Sequence, residues 1–493
     1  MKLMNTPEVK LAVVAVSRDC FPMSLSQSRL DALKAACDKE GVEIIALKTI
    51  IENENDTLKA LKEAADAGAN AAMIYLGNFG PEGPETIFAK RFNGPIGLIA
   101  AAEEKGDGLM GSRGDAYCGV LNASYNFALR NIPVHIPDVP VKLPHELVSD
   151  IKHFINVARV IIGVKALKVI GFGPRPEDFY ACNAPIKPMY DLGIEVMENS
   201  ELDLLVQYKS VKEDDAEVLE VIKDMEKELG KNVNYPDLLP RIARFEVALM
   251  RYYNSHLGAS KFAVFANKCW PAFESEFGFV PCYVNSRLAK RGIPVACEVD
   301  LYGAVSEYMV QLATLTPATL LDINNTVPND MIPGKDLKGA TSTDLFMGFH
   351  CGNTASDCMT DCALKYQLIM NRGLENSGTP DITRGTIEGT LRPGDTTVFR
   401  LQSSADCKLS SYIAEGNILD IDPQSFGSIG VFGIPNFSRF YRHVLVAKNY
   451  PHHAAIGFRK CGKVLFDALA MLGVKDVKAP LPEGVLYEGE NPF

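Results

Sequence analysis

Two carboxylates and a small set of histidines are the side chains of this sequence best placed to do chemistry. Glu298 ends the apolar run Pro294-Val-Ala-Cys297, and Asp322 ends Thr319-Leu-Leu321. About one helix, roughly 302–315, separates them. If strand, helix and strand form a right-handed β-α-β unit, the two strands are parallel near neighbours. Both acids then project from one C-terminal sheet edge, where open α/β sheets bind ligands. The plainer alternative has Glu298 capping the helix and Asp322 opening an Asx-turn with Asn324 and Asn325. Histidine is scarce, with eight in the chain. His350 ends Phe346-Met-Gly-Phe349, and the pair His452-His453 precedes Ala454-Ala-Ile-Gly457. Side chains alternate along a strand, so one of two adjacent histidines is expected to join a given site. Two carboxylates with two imidazoles make a mixed O/N set suited to Mn²⁺, with Co²⁺ and Mg²⁺ as alternatives. A histidine beside an apolar run also serves as a plain hydrogen-bonded structural residue.

Three other features compete for attention. Cys351, Cys358 and Cys362 lack the C-x2-C spacing of a zinc knuckle and read as buried structural thiols. Gly171-Phe-Gly173-Pro-Arg-Pro176 follows a strand and begins like a dinucleotide loop. Its third glycine is missing, and prolines stand where helix amides would face a pyrophosphate, so it reads as a loop over a binding cleft. Trp270, the only tryptophan, lies in Lys268-Cys-Trp-Pro271 and suits either a sugar-stacking platform or a core plug.

These residues need a scaffold, and the first third of the chain alternates strand and helix. Leu11–Ser17, Val42–Leu47, Ala71–Leu76 and Pro95–Ala100 are apolar runs, with helices from about Ser26, over Thr57–Ala67 and from about Ala116. Such repeats build an open parallel α/β domain, assigned to 1–165. A second α/β domain, 166–335, has strands at Leu167–Phe172, Phe262–Phe265, Pro294–Cys297 and Ala318–Leu321, and carries both acids. The final part, 336–493, holds short β-prone segments at Leu345–Phe349, Thr396–Leu401 and Ser428–Phe432, the spacing of an antiparallel sheet or small barrel.

The 493 residues are 47% hydrophobic and 23% charged, a globular balance. The net charge of −11 gives no general reason to bind nucleic acid or anionic lipid. The start of the chain lacks a signal peptide's apolar stretch, and no run approaches a membrane span. Twelve cysteines are too sparse for a disulfide scaffold. A cytoplasmic, small-molecule enzyme is expected.

The sequence resembles the L-fucose isomerase / L-arabinose isomerase superfamily of ketol isomerases. The similarity lies in Cys297-Glu-Val-Asp-Leu-Tyr-Gly303, Leu320-Leu-Asp-Ile-Asn-Asn325, Gly348-Phe-His-Cys351 and His452-His453. Lys268–Pro271, Gly173–Phe179 and Gly389–Thr397 support it. The resemblance implies two Rossmann-like domains followed by a β-rich, barrel-like domain. It also implies a Mn²⁺-dependent aldose–ketose isomerase of free sugars, in a trimer-based or hexameric homo-oligomer. On this resemblance Glu298 and Asp322 are metal ligands and proton-moving acids, with His350 and His453 completing the metal set. Trp270, Tyr302, Asn325 and His452 are the candidate sugar contacts. The second acid is Asp, as in the fucose branch, whereas the histidine pattern is closer to the arabinose branch, so several sugars stay open. The rivals are a non-catalytic sugar sensor with paired α/β domains, and a dinucleotide-dependent oxidoreductase, which the broken glycine loop disfavours.

Overall fold

The structure, a computed structural model, describes residues 3–111, 113–374 and 381–493. It contains three sheets in two compact units. The smaller unit, Pro7–Ile162 with Asp467–Gly473, is built on a parallel sheet. Its strands are β1 (Leu11–Val16), β2 (Ile45–Ala46), β3 (Ala71–Leu76), β4 (Ile96–Ala101), β5 (Val134–His135) and β6 (Val141–Lys142), in the order β2-β1-β3-β4-β5 with β6 also on β4. Every residue of β1, β3 and β4 is buried, as strands covered on both faces must be. The helices α1 (Met23–Lys39), α2 (Glu54–Asp66), α3 (Glu82–Arg91), α4 (Ala116–Leu129) and α5 (Val148–Lys165) connect them. The expected strand Val42–Leu47 shrinks to two residues, because β2 is a short edge strand with a partner on one side only.

The larger unit holds the other two sheets. A parallel four-stranded sheet runs β10-β9-β7-β8, from β7 (Leu167–Gly173), β8 (Glu195–Ser200), β9 (Phe262–Ala266) and β10 (Val295–Ala296). The nine-stranded sheet contains β11 (Ala318–Asn325), β12 (Leu345–His350), β13 (Met359–Tyr366), β14 (Arg384–Leu391), β15 (Gly394–Ser403), β16 (Leu409–Leu419), β17 (Ser428–Gly433), β18 (His453–Gly457) and β19 (Asp476–Lys478). Its path β17-β12-β11-β18-β15-β16 closes on itself through a β16–β17 pairing, all antiparallel, which makes a barrel without open edges. The fold class expected from the sequence is therefore the one observed.

One expectation is corrected. β11 is not a neighbour of β10 in the second parallel sheet; it pairs antiparallel with β12 and β18 in the barrel. The reason lies in the connecting helix, Leu301–Thr314. Nearly all its residues are buried, so it needs cover on every side. It touches β7, β9 and β10 on the one hand and β11, β15 and β18 on the other. A helix held between two sheets delivers the next strand to the second layer. Glu298 and Asp322 thus come from different sheets that share one helix.

Candidate active site

Glu298 sits just after β10 in a backbone that glycine would favour. Its φ is 53° and that of Val299 is 54°, two left-handed residues in succession, one of them β-branched. Each such residue costs about 1–3 kcal/mol and persists only where surroundings dictate it. Here the Val299 amide donates to the Asn267 carbonyl at 2.9 Å, and the Asp300 amide to that of Cys297 at 3.0 Å. The kink aims the Glu298 carboxylate towards the barrel.

On the barrel side, Asp322 of β11 lies directly opposite His453 of β18, so their side chains share a face. His453 Nε2 is 3.4 Å from Asp322 Oδ1 and 3.4 Å from Glu298 Oε2. Its other nitrogen, Nδ1, lies 2.9 Å from Asp300 Oδ2. Behind it, Arg400 of β15 grips both oxygens of Asp300, at 2.5 and 3.0 Å, and also binds Gln402. Asp300 is 1% exposed and Arg400 fully buried. Asp300 also accepts from the Gly303 amide, capping the shared helix. The carboxylate–imidazole relay fixes which ring nitrogen faces the acids.

The charge states follow from these contacts. Burial works to raise Asp300, but the Arg400 charge dominates and holds the carboxyl well below the usual range. Burial likewise works against Asp322, yet contact with His453 and the fields of three imidazoles bring it down to about 2. For His453 burial favours the neutral ring, but its bond to Asp300 and the nearby Asp322 carboxylate outweigh that and raise it well above an ordinary histidine. A field that favours a proton on Nε2 between two carboxylates also favours a divalent cation in that proton's stead.

Glu298 Oε2 and Asp322 Oδ1 are buried and have no hydrogen-bond partner among the described residues. Oxygens left this way are costly unless an ion or water meets them. Two ligands about 2.0–2.1 Å from an octahedral ion lie roughly 3 Å apart, near the 3.4 Å separations here. Asp322, His350 and His453 offer ligand atoms within 4.8 Å of one another, and Glu298 Oε2 stands 3.4 Å from His453 Nε2, a set that suits a hard divalent cation. His350, at the end of β12, is close but differently poised. Its Nδ1 accepts the Cys351 amide at 2.9 Å, which places the proton of the neutral ring on Nε2, 3.5 Å from Glu298 Oε2. In that tautomer His350 presents Nε2–H, and ligation through Nε2 calls for the other tautomer.

The remaining sequence candidates divide. His452 precedes β18 in a bend, so strand alternation does not govern it, and both histidines of the pair reach Asp322; His452 Nε2 is 3.6 Å away. Burial and neighbouring His453 lower its pKa. Phe179, from the loop after β7, packs against the rings of Trp270, His452 and His453 at 6.4, 5.5 and 6.0 Å. That loop does lie over the acid–histidine group, with Trp270 at its rim. Tyr302 is turned elsewhere: its hydroxyl donates to the Pro185 carbonyl at 2.7 Å. Asn325 is exposed at the far end of β11 and bonds Asn324. All twelve cysteines are free thiols, and among the described residues Cys351, Cys358 and Cys362 do not meet in one ligand group.

Asp300 and Arg400 were not singled out from sequence. Asp300 lay inside the quoted Cys297–Gly303 motif and Arg400 inside a β-prone run. No spacing signal links residues one hundred positions apart.

Comparison with known proteins agrees with this architecture. Residues 12–165 match the family described as fucose/sulfoquinovose isomerase, N-terminal domain, and residues 348–478 match L-fucose isomerase, C-terminal domain. A sulfoquinovose isomerase of Priestia aryabhattai is 24% identical over 308 residues, 61% of this chain and 62% of that protein. That of Clostridium sp. (strain MSTE9) is 25% identical over 293 residues, 57% and 58% respectively. The matched region thus spans about three-fifths of these relatives' length. With family matches at both ends and the acid–histidine group between the second parallel sheet and a closed barrel, the chain belongs to the L-fucose isomerase-like superfamily.

Proposed function

We propose that this protein is a divalent-metal-dependent isomerase that interconverts a free aldose and its ketose. The observation that carries the reading is the convergence of Glu298 Oε2 and Asp322 Oδ1 on His453 Nε2, both oxygens lacking other partners. Glu298, Asp322 and His453 would hold the ion. Mn²⁺ is the favoured occupant, with Co²⁺ or Mg²⁺ able to serve the same oxygen-rich set. When bound, the cation polarises the sugar's carbonyl and offsets the negative charge that develops on its oxygens.

The chain's own groups do the rest. Isomerisation moves a proton between C2 and C1, which requires a carboxylate near both carbons and a donor to the oxygens. Asp322, held at about 2, stays ionised but is a weak base, better suited to holding a cation than to taking a C–H proton. That leaves Glu298, aimed by its strained backbone, as the group that accepts the proton at one carbon and returns it at the other. His350 Nε2–H, beside Glu298, donates to a sugar oxygen and steadies the enediolate. His452, neutral and at the rim, exchanges protons with hydroxyls. Phe179 and Trp270 supply an aromatic wall for the sugar's C–H face.

The relatives carry the name sulfoquinovose isomerase, so a six-carbon sugar bearing a C6 sulfonate belongs among the candidate substrates beside L-fucose, L-arabinose and D-arabinose. The test is a panel of these four with chelator-treated enzyme, with and without added Mn²⁺, reading ketose. Ketose from at least one sugar on Mn²⁺ addition is expected, and Glu298→Gln and Asp322→Asn should each lower turnover by at least about 10²-fold. No ketose from any sugar with Mn²⁺, Co²⁺ or Mg²⁺ would overturn the reading, as would near-parental turnover in either variant.

A further inference from the structure

Outside the acid–histidine group, three side chains able to ligate a metal meet in the smaller unit. They are His135 at the end of β5, His153 in α5, and Asp467 at the start of the returning segment Asp467–Gly473. Their ligand atoms lie within 4.8 Å of one another. His153 Nε2 is 2.6 Å from Asp467 Oδ2, and His135 Nδ1 is 3.9 Å from the same oxygen. The two rings stand 5.5 Å apart, tilted by 40°.

Local packing brings the three together. β5 pairs with the start of β4 and sets His135 opposite Gly97. The His135 ring stacks on Phe154 at 5.6 Å, and Phe154 follows His153 on α5, so one turn of helix holds both imidazoles. Phe154 itself is fully buried in the core of the unit. On the third element, the helix Gly462–Met471, Met471 lies one turn beyond Asp467 and packs on that same core. Residues four apart share a helix face, so the Asp467 face is turned towards the rings. The His135 side chain is 6% exposed, that of His153 21% and that of Asp467 19%. One ligand is sealed and two reach water, which leaves an entry path and an open coordination position.

A hydrogen-bonded pair accounts for His153 and Asp467 but not for the second ring. At 3.9 Å, His135 Nδ1 is beyond hydrogen-bond reach of Asp467 Oδ2, yet it is held beside that oxygen. Ligands about 2.0–2.1 Å from a tetrahedral ion lie roughly 3.3 Å apart. The separations of 2.6 and 3.9 Å straddle that spacing. Two imidazoles to one carboxylate suit a borderline ion better than Mg²⁺ or Mn²⁺, which favour oxygen. Zn²⁺ has no geometric preference from its d-electrons and tolerates unequal spacing, and open zinc sites hold three protein ligands with a water in the fourth place.

We propose that His135, His153 and Asp467 form a second metal site, which takes Zn²⁺ with water as fourth ligand and clamps the segment Asp467–Gly473 to α5 and β5. Both histidines ligate as neutral rings and Asp467 as the carboxylate, so the ion displaces the proton between His153 and Asp467. The site shares no residue with the Glu298 group and does not rest on the isomerase reading.

The test dialyses the chelator-treated full-length chain and its His153→Gln variant against the same buffered Zn²⁺, then counts zinc per chain by plasma emission. Glutamine still donates to Asp467, so a purely structural pair survives the change while a metal ligand is lost. Zinc taken by the Glu298 group is common to both proteins and cancels. The parent should hold one zinc per chain more than the variant, and Zn²⁺ should raise the parent's melting temperature by more than the variant's. A parent without zinc, or equal zinc in two proteins that circular dichroism shows folded, overturns the site. Equal melting shifts overturn the clamp. Should His153→Gln not fold, Asp467→Asn, at a part-exposed helix position, is read in the same way, and zinc equal to the parent's overturns the site.

Discussion

Asp300 touches neither the proposed cation nor the sugar, yet three jobs meet on its carboxylate. It orients His453, pairs with Arg400 and caps the helix Leu301–Thr314. Replacing Asp300→Asn keeps the shape but removes the charge that fixes the imidazole. Mn²⁺ affinity, read by calorimetric titration, should weaken by about 10–100-fold, the usual effect of losing a carboxylate behind a ligating histidine. Arg400 would be left without its counter-ion in a dry interior, so stability should also fall by about 3–5 kcal/mol, read by urea unfolding. Unchanged Mn²⁺ binding would show that Asp300 serves the fold alone. Glu298, Asp322, His350 and the His452-His453 pair were legible in the sequence because acids and imidazoles at the ends of apolar runs are uncommon. Asp300 and Arg400 were hidden because the pair joins a residue inside the Cys297–Gly303 motif to one in a β-prone run one hundred positions away.

Among the elements, the helix Leu301–Thr314 and β18 set the distance between the two halves of the site. His453, Ala455 and Gly457 share one face of β18, by the two-residue period of a strand. At Gly457 an added Cβ would lie 2.7 Å from Val310 Cγ1 of that helix. Gly457→Val should therefore force the strand and helix apart and cost about 1–3 kcal/mol, seen as a lowered urea midpoint. Because His453 lies on the same strand face, Mn²⁺ affinity should fall with it. A variant as stable as the parent would show that the packing has slack. The same helix explains where the sequence reading of β11 failed. Local pattern marked Ala318–Leu321 as a buried strand, but which sheet receives a buried strand depends on what covers the helix before it.

On the scale of the whole molecule, two compact units with separate cores carry different electrostatic burdens. In the smaller one Glu85 is 1% exposed, and neither carboxyl oxygen has a hydrogen-bond partner among the described residues. Burial, reinforced by Glu82, pushes it up to about 8 from an ordinary 4.5. The folded chain then keeps a proton that the unfolded chain has released. Stability is greatest below about 4.5 and declines as pH rises towards 8, by on the order of 3 kcal/mol at pH 7. Glu85→Gln should flatten that slope and raise stability at pH 8 while changing little at pH 4. Urea melts at both pH values check this, and an unaltered slope would assign the pH dependence elsewhere. At this scale too, no described helix is long and apolar enough to cross a membrane.

The amino-acid sequence alone determined the two α/β runs, the β-rich end, the family and the residue types of the site. Strand and helix periodicity are local, and acids and imidazoles at strand ends stand out against apolar neighbours. The tertiary structure decided that β11 belongs to the barrel, that both His452 and His453 reach Asp322, and that Tyr302 and Asn325 point away. It also brought Arg400 to Asp300. Each depends on contacts between residues far apart in the chain, such as Asp322 with His453 or Asp300 with Arg400, and a one-dimensional pattern holds no measure of those distances.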